Sequence, residues 1–202
     1  MKKSILVCFG MAFLASGVAR ADEGKAKAAK QPDQAAMMEK WKQYMTPGEP
    51  HKQMAKAVGK WNSVAKMWMQ GPGGPPMESK GTAELSLLLG GRFLRREVTS
   101  TMMGMPFQGI GIDGYDNFTK QYHSYWIDSM GTTSMNMKGT STDGGKTVTY
   151  TGSMDEPMTG ERNKHVKAVV HHIDDNKTVF EMYDSAGGKE WKAFEVTYTR
   201  AK

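Results

Sequence analysis

The feature that most constrains this fold is a long series of short alternating segments, from Gly59-Lys60-Trp61 to Tyr198-Thr199-Arg200. Alternation of apolar and polar residues places every second side chain on one face of a β-strand. Turn signals rich in Gly, Asn, Asp and Pro separate the segments at 71–74, 90–91, 104, 116–117, 131, 143–145, 156–157, 174–176 and 187–188. These nine turns imply about ten strands, at the spacing expected of an all-β sandwich or barrel, preceded by short N-terminal helices.

The residues at the two ends of the series favour a closed antiparallel barrel and predict how it closes. Trp61 and Arg200 each lie on the apolar face of their strand, the first and the last. A buried Arg needs a partner. We therefore expect a structural seam at which Arg200 stacks on Trp61 and donates hydrogen bonds to nearby carbonyls.

The N-terminus has the composition of an export signal. Lys2 and Lys3 precede an apolar stretch, residues 5–18, and Ala19-Arg20-Ala21 resembles a signal peptidase site. The stretch is too short for a typical transmembrane helix. We expect residues 1–21 to be a signal peptide, no membrane span after its cleavage, and a periplasmic or secreted mature protein.

The region between the leader and the strands is expected to be a flexible tether with a short helix, residues 22–46. Asp33 can cap this helix, which the spacing of its apolar residues extends to about Met45. Thr46-Pro47-Gly48 ends it, and a second helical turn is predicted over 50–58. Apolar helical stripes are usually packing faces, so we expect both helices to cover a barrel end. The barrel domain is expected to span residues 47–202.

Several short motifs carry a resemblance to a known family. They are His51-Lys52, Gly59-Lys60-Trp61, Gly90-Gly91-Arg92-Phe93-Leu94, Gly114-Tyr115-Asp116-Asn117, Tyr122, Trp126-Ile127-Asp128-Ser129 and Tyr198-Thr199-Arg200. With these motifs the chain resembles the DUF1579 family, a bacterial domain of unknown function, over about residues 47–201. The Gly-x-Trp motif with a terminal Arg is also similar to the calycin signature of lipocalins and fatty-acid-binding proteins. The resemblance implies an all-β fold, a lipocalin-like antiparallel up-and-down β-barrel of about ten strands with an internal cavity, and it implies no established activity.

Charge and cysteine content exclude some classes of function. The formal net charge is +6, and removing Lys2, Lys3 and Arg20 with the leader lowers it by three, to +3. Such a small, dispersed charge does not favour nucleic-acid binding. The single cysteine, Cys8, lies in the leader, so the mature chain has no disulfide or thiolate chemistry.

The residues expected to line a cavity suggest the chemistry of its ligand. The apolar candidates are Trp61, Met67, Leu85, Leu94, Trp126 and Phe194. Arg92 or Arg96 would meet an acidic head group, and Asp128 could pair with either Arg. The sequence thus predicts an exported protein that binds a small apolar or amphipathic ligand inside the barrel.

Other functions stay open at this stage. The barrel could be filled by its own side chains, which would make the protein structural or accessory. Met-x-Met pairs such as Met67/Met69 and Met135/Met137 could bind a soft metal, and an inward His could bind haem. We expect no cofactor, because the histidines have no metal-ligand spacing. Catalysis ranks last, because no nucleophile is paired with a base.

Overall fold

The computed structural model describes residues 33–71, 73–186 and 189–202, and the predicted leader, 1–21, lies outside them. The described chain contains two short helices followed by ten strands. The helices are α1 (Gln34–Met45) and α2 (Glu49–Ala55). The strands are β1 (Gly59–Met67), β2 (Met77–Leu88), β3 (Phe93–Met102), β4 (Met105–Asp116), β5 (Gln121–Asp128), β6 (Met135–Thr140), β7 (Thr147–Glu156), β8 (Glu161–Asp174), β9 (Lys177–Ala186) and β10 (Lys189–Arg200).

The strands form a closed antiparallel barrel, which confirms the predicted fold class. Each strand pairs with its neighbours in the chain, and β1 pairs with β10 to close the sheet. In that last pairing Trp61 lies opposite Arg200. The predicted turn at Gly187-Gly188 falls outside the described residues. Closure leaves no strand of the sheet with a free edge.

The first helix, α1, forms as predicted but does not cover the barrel. The Asp33 side chain caps it by accepting a hydrogen bond from the Ala35 amide at 3.1 Å. No residue of α1 is buried. Its C-terminal end is held by Asn117, whose side chain donates to the Tyr44 and Thr46 carbonyls. The expectation that both helices cover a barrel end is therefore wrong for α1, because this helix contacts the barrel through its last turn.

The second helix, α2, does lie against one end of the barrel. Its buried residue is His51, which is 5% exposed and whose Nδ1 accepts a hydrogen bond from the Gly48 amide at 3.0 Å. The chain leaving α2 is tied to the barrel wall by Trp61, whose Nε1 donates to the Ala57 carbonyl at 2.9 Å. We refer to this end as the covered end, and to the other, over which the described residues place no helix, as the uncovered end.

Arg200 fastens the same segment from the last strand. Its guanidinium lies 4.4 Å from the centre of the Trp61 ring. It donates three hydrogen bonds, to the carbonyls of Lys56, Val58 and Asp175, at 2.7, 2.8 and 2.9 Å. The seam expected from the sequence thus lies where α2 joins β1.

Inward side chains fill much of the interior in two clusters. One cluster comprises Trp61, Ala83, Val98 and Phe107. The other comprises Tyr122, Met137, Val148, Tyr150, Val166 and Ala168. Among the described residues, no helix has both the length and the apolar character needed to cross a membrane.

Candidate functional site

An internal cavity of about 90 Å³ lies between α2 and the strands at the covered end. Its apolar wall includes Met54 of α2 together with Leu85, Leu94, Val148, Val170 and Phe180. Its polar groups include Arg96, Asp113, Ser124, Tyr150, His172 and Tyr198. An apolar enclosure with a few converging polar groups is the usual form of a small-molecule site.

Arg96 occupies this interior because the opposite strand makes room for it. Arg96 faces inward from β3 and pairs with Gly111 of β4. A Cβ atom at Gly111 would lie only 3.0 Å from Arg96 Nη2, so a larger residue there would displace the guanidinium. The guanidinium carbon is 5.3 Å from the centre of the Trp126 ring, within range of a cation–π interaction.

The Arg96 guanidinium lacks the hydrogen bonds that a buried cation normally makes. The Nε atom is buried, and no group among the described residues accepts a hydrogen bond from it. The nearest carboxylate oxygen, Asp113 Oδ2, is 3.8 Å from Nη2, beyond hydrogen-bond distance. Asp113 instead accepts a hydrogen bond from the Ser124 hydroxyl at 2.7 Å. The Arg96 guanidinium therefore has N–H donors without protein acceptors, and a molecule bound in the cavity could supply those acceptors.

Burial sets the protonation of the groups around this pair. Burial raises the pKa of the Tyr150 and Tyr198 hydroxyls, so both keep their protons at neutral pH. Burial lowers the pKa of His172, which favours its neutral form. Burial also disfavours the Arg96 cation, but the negative charge of Asp113 opposes this effect, and the pKa of Arg96 is raised above its usual value.

Four of the residues proposed from the sequence line the cavity: Trp61, Leu85, Leu94 and Arg96. Trp126 lies inside the barrel next to Arg96 and stacks on Phe107 at a ring distance of 6.4 Å. Its ring lies against Gly109, where a Cβ atom would be 2.2 Å from the nearest ring carbon. Trp126 thus forms a layer below the cavity.

The two remaining polar candidates do not take the places expected from the sequence. Arg92 precedes β3, in the turn after β2, and donates to the Leu89 and Met45 carbonyls outside the barrel interior. Asp128 accepts a hydrogen bond from Trp126 Nε1 at 2.8 Å, and the carboxylate paired with Arg96 belongs to Asp113. The expected pairing of Asp128 with an Arg is therefore wrong.

The last two apolar candidates, Met67 and Phe194, lie opposite one another on β1 and β10 at the uncovered end. They line a separate void of about 30 Å³. These two residues are therefore not part of the cavity that holds Arg96.

The sequence did not lead us to place Asp113, Tyr150 or His172 in the cavity. Asp113 shares the inner face of β4 with Gly109 and Gly111, and alternation along that strand could have placed it inside. No comparable signal marks which inward residues of β7 and β8 lie level with Arg96, because that depends on the stagger of strands across the barrel.

The residues considered for haem or a soft metal are dispersed. His51 is the buried residue of α2, His172 lines the cavity, and His165 lies in an outer groove. The described residues contain no group of three or more His, Cys, Asp or Glu side chains that could hold a metal. In the pair Met67/Met69, Met69 lies beyond β1 and is 57% exposed.

A larger hollow of about 680 Å³ lies on the outer face of β3 to β8 and is open to solvent. Phe93, Ile112, His123 and Tyr125 form part of its wall. It has no counterpart to the partly buried Arg96–Asp113 pair, and open, shallow surfaces seldom bury most of a ligand. We therefore place the candidate site in the smaller internal cavity.

Comparison with known proteins supports the fold and leaves the activity open. A family described as "Protein of unknown function (DUF1579)" matches residues 46–200. The structure of Rv2717c from M. tuberculosis is similar at a TM-score of 0.56 and 13% identity, covering 78% of this chain and 100% of that one. The S-type phycobiliprotein lyase CPES from Guillardia theta is similar at a TM-score of 0.51 and 10% identity, covering 81% and 97%. Curated proteins gave no match.

Proposed function

The chain belongs to the DUF1579 family, and we propose from its own geometry that it is an exported binding protein for a small apolar or amphipathic molecule. The ligand would enter the barrel at the covered end and lie against Arg96. The observation that carries this proposal is the internal cavity, whose mainly apolar wall surrounds a guanidinium without protein hydrogen-bond acceptors. The likeness to a phycobiliprotein lyase, at 10% identity, adds support for the fold alone.

The size of the cavity limits what can bind without movement. An apolar cavity of about 150 Å³ holds benzene, whereas this one measures about 90 Å³. It can hold a head group or a molecule of a few heavy atoms. A longer tail requires α2 to move, since Met54 and Ala57 form the wall on that side. The ligand's entrance would then lie between α2 and the strand ends.

Native mass spectrometry of the leader-free protein from its own host tests the proposal. A bound molecule adds a mass that disappears on denaturation. Ala57→Leu should abolish this added mass by filling the cavity, whereas Ala55→Leu should retain it, because Ala55 does not line the cavity. A bare polypeptide mass, combined with no binding of small molecules added to the protein, would contradict the proposal.

Export is a separate part of the proposal and has its own test. The support is the sequence of residues 1–21, with a basic start, an apolar stretch and a small-residue cleavage site. N-terminal sequencing of the protein from the periplasm or medium should begin after Ala21. An intact chain starting at Met1 and found only in the cytoplasm would contradict export.

A second candidate function rests on α1. Met37, Trp41 and Tyr44 of this helix are 52%, 57% and 47% exposed, which is unusual for a stripe of large apolar residues. An accessory protein could act through this face, with the barrel as a rigid support. Deleting residues 22–46 separates the two candidates. If the cavity is the functional site, ligand binding by the barrel should survive the deletion. If α1 is the functional site, cellular function should be lost although ligand binding is unchanged.

A further inference from the structure

The charge balance of the cavity points to the class of ligand it accepts, an inference that rests on the proposed function. Arg96 and Asp113 are the charged side chains in the described wall, and they oppose each other at 3.8 Å. The cavity is therefore electrically neutral before any ligand enters. The expectation from the sequence, that an Arg would meet an acidic head group, did not include this carboxylate.

A carboxylate ligand would add an uncompensated negative charge to this site. The tyrosine hydroxyls are neutral there, and burial favours the neutral form of His172. The described wall offers no second cation to balance a ligand anion. Burying a net charge is costly, and two carboxylates sharing one guanidinium repel each other.

An uncharged acceptor meets the needs of the site without this cost. Asp113 leaves the guanidinium without a direct hydrogen bond, because its closest oxygen is 3.8 Å from Nη2. The Arg96 side chain keeps 17% of its surface accessible although its Nε is buried, so the exposed part belongs to its other atoms. A ligand carbonyl or hydroxyl oxygen at that surface would supply a missing acceptor.

We propose that the cavity selects an uncharged ligand with a hydrogen-bond-accepting head group, such as an amide or an alcohol, over the matching carboxylate. Asp113 is the residue that sets this preference, by neutralising Arg96 without occupying its donors. Ser124 is a positioning residue, because its hydroxyl holds the Asp113 carboxylate at 2.7 Å.

A matched series of small molecules tests the preference in the leader-free wild-type protein. Butyramide, n-butanol and butyrate share a short chain that suits the cavity and differ in the head group. Binding is followed by NMR of methionine methyl groups, since Met54 and Met137 line the cavity while Met158 is 90% exposed. Shifts at Met54 and Met137, with Met158 unchanged, locate the ligand in the cavity. The amide and alcohol should bind at least about tenfold more tightly than butyrate.

Asp113→Asn should remove the preference. The amide oxygen of Asn can still accept the Ser124 hydrogen bond, and the cavity gains a net positive charge. Butyrate affinity should rise at least about tenfold while butyramide affinity changes little. Asp184→Asn is the matched control, because Asp184 is ion-paired with Lys164 at 2.8 Å and does not line the cavity.

Each outcome bears on the proposals differently. If butyrate binds wild-type protein as tightly as butyramide, the inference is wrong, but the proposed binding function stands. This comparison needs no variant, so a misfolded Asp113→Asn protein would not prevent it. If none of the three molecules shifts the cavity methyl groups, the cavity holds only water for this series, and the inference is overturned together with its premise.

Discussion

The two ends of the barrel interior are built from the same alternating strands but have different contents. At the covered end Trp61 is 3% exposed, and the nearby cavity contains a charged pair and several hydroxyl groups. At the uncovered end Met77 is 48% exposed, and Met67 and Phe194 line a void of about 30 Å³. α2 lies at the first end. The difference shows that strand alternation alone creates an inward face, whereas a covering segment shields the inward polar groups from water.

The largest expected difference between the two ends is in the stability lost when Trp61 or Met67 is truncated to Ala. Trp61→Ala removes a buried ring, its cation–π contact with Arg200 and its hydrogen bond to Ala57. It should lower the free energy of unfolding by about 3–5 kcal/mol. Met67→Ala, at the uncovered end, should cost less than about 2 kcal/mol. Urea denaturation measures both, and equal losses would mean that the two ends contribute alike to stability.

The layer between the ends can be disturbed at Gly109. A Cβ atom there would lie 2.2 Å from a ring carbon of Trp126, so Gly109→Ala must move the ring. We expect a loss of about 1–3 kcal/mol in the free energy of unfolding and a shift in tryptophan fluorescence. Gly131→Ala is the control, since a Cβ atom there would lie 4.0 Å from its nearest neighbour, the Thr133 amide nitrogen. It should change stability by less than about 0.5 kcal/mol. Unchanged fluorescence in Gly109→Ala would show that this layer adapts without displacing Trp126.

The attachment of α2 depends on the planar guanidinium of Arg200, which donates to three carbonyls at once. Lys cannot reach the carbonyls of Lys56, Val58 and Asp175 together. Arg200→Lys should therefore lower the free energy of unfolding by about 1–2 kcal/mol. It should also speed hydrogen exchange in α2.

Arg92→Lys provides the comparison for that prediction, because Arg92 likewise donates to two carbonyls but holds α1. We expect a loss below about 0.5 kcal/mol. If the two variants exchange hydrogen in α2 equally fast, Arg200 does not fasten the covered end.

The smallest expected effect is a dependence of stability on pH at the covered end. Burial lowers the pKa of His51 and His172 below the usual 6.5. A base with a lowered pKa contributes its full stability above the unfolded pKa, and this contribution is lost as pH falls through the folded pKa. The melting temperature should therefore fall between about pH 7.5 and 5.5, and less so in His51→Gln. His165→Gln is the control, because His165 lies in the outer groove. If both variants reduce the pH dependence of the melting temperature equally, His51 is not its cause.

The sequence determined the number of strands, the positions of most turns and the seam between the first and last strands. These features are local or repeat at short intervals, since turns need Gly, Asn or Asp, and alternation fixes the inward face. Trp61 and Arg200 could be paired from sequence because a closed barrel must join its first strand to its last. Leu85, Leu94 and Arg96 could be placed inside because alternation fixes which face of a strand points inward.

The tertiary structure alone decided which inward residues meet at one level. Asp113 lies beside Arg96, and Asp128 does not, because strand register sets the height of each residue in the barrel. Arg92 would face the same side as Arg96 if β3 began earlier, but it lies in the turn before β3, where it donates a hydrogen bond to the last residue of α1. Of the two helices, α1 has the more extensive apolar stripe, yet it is α2 that covers the barrel, since Arg200 and Trp61 hold the chain at its C-terminal end. The neutral charge of the cavity follows from these long-range contacts, which no local pattern specifies.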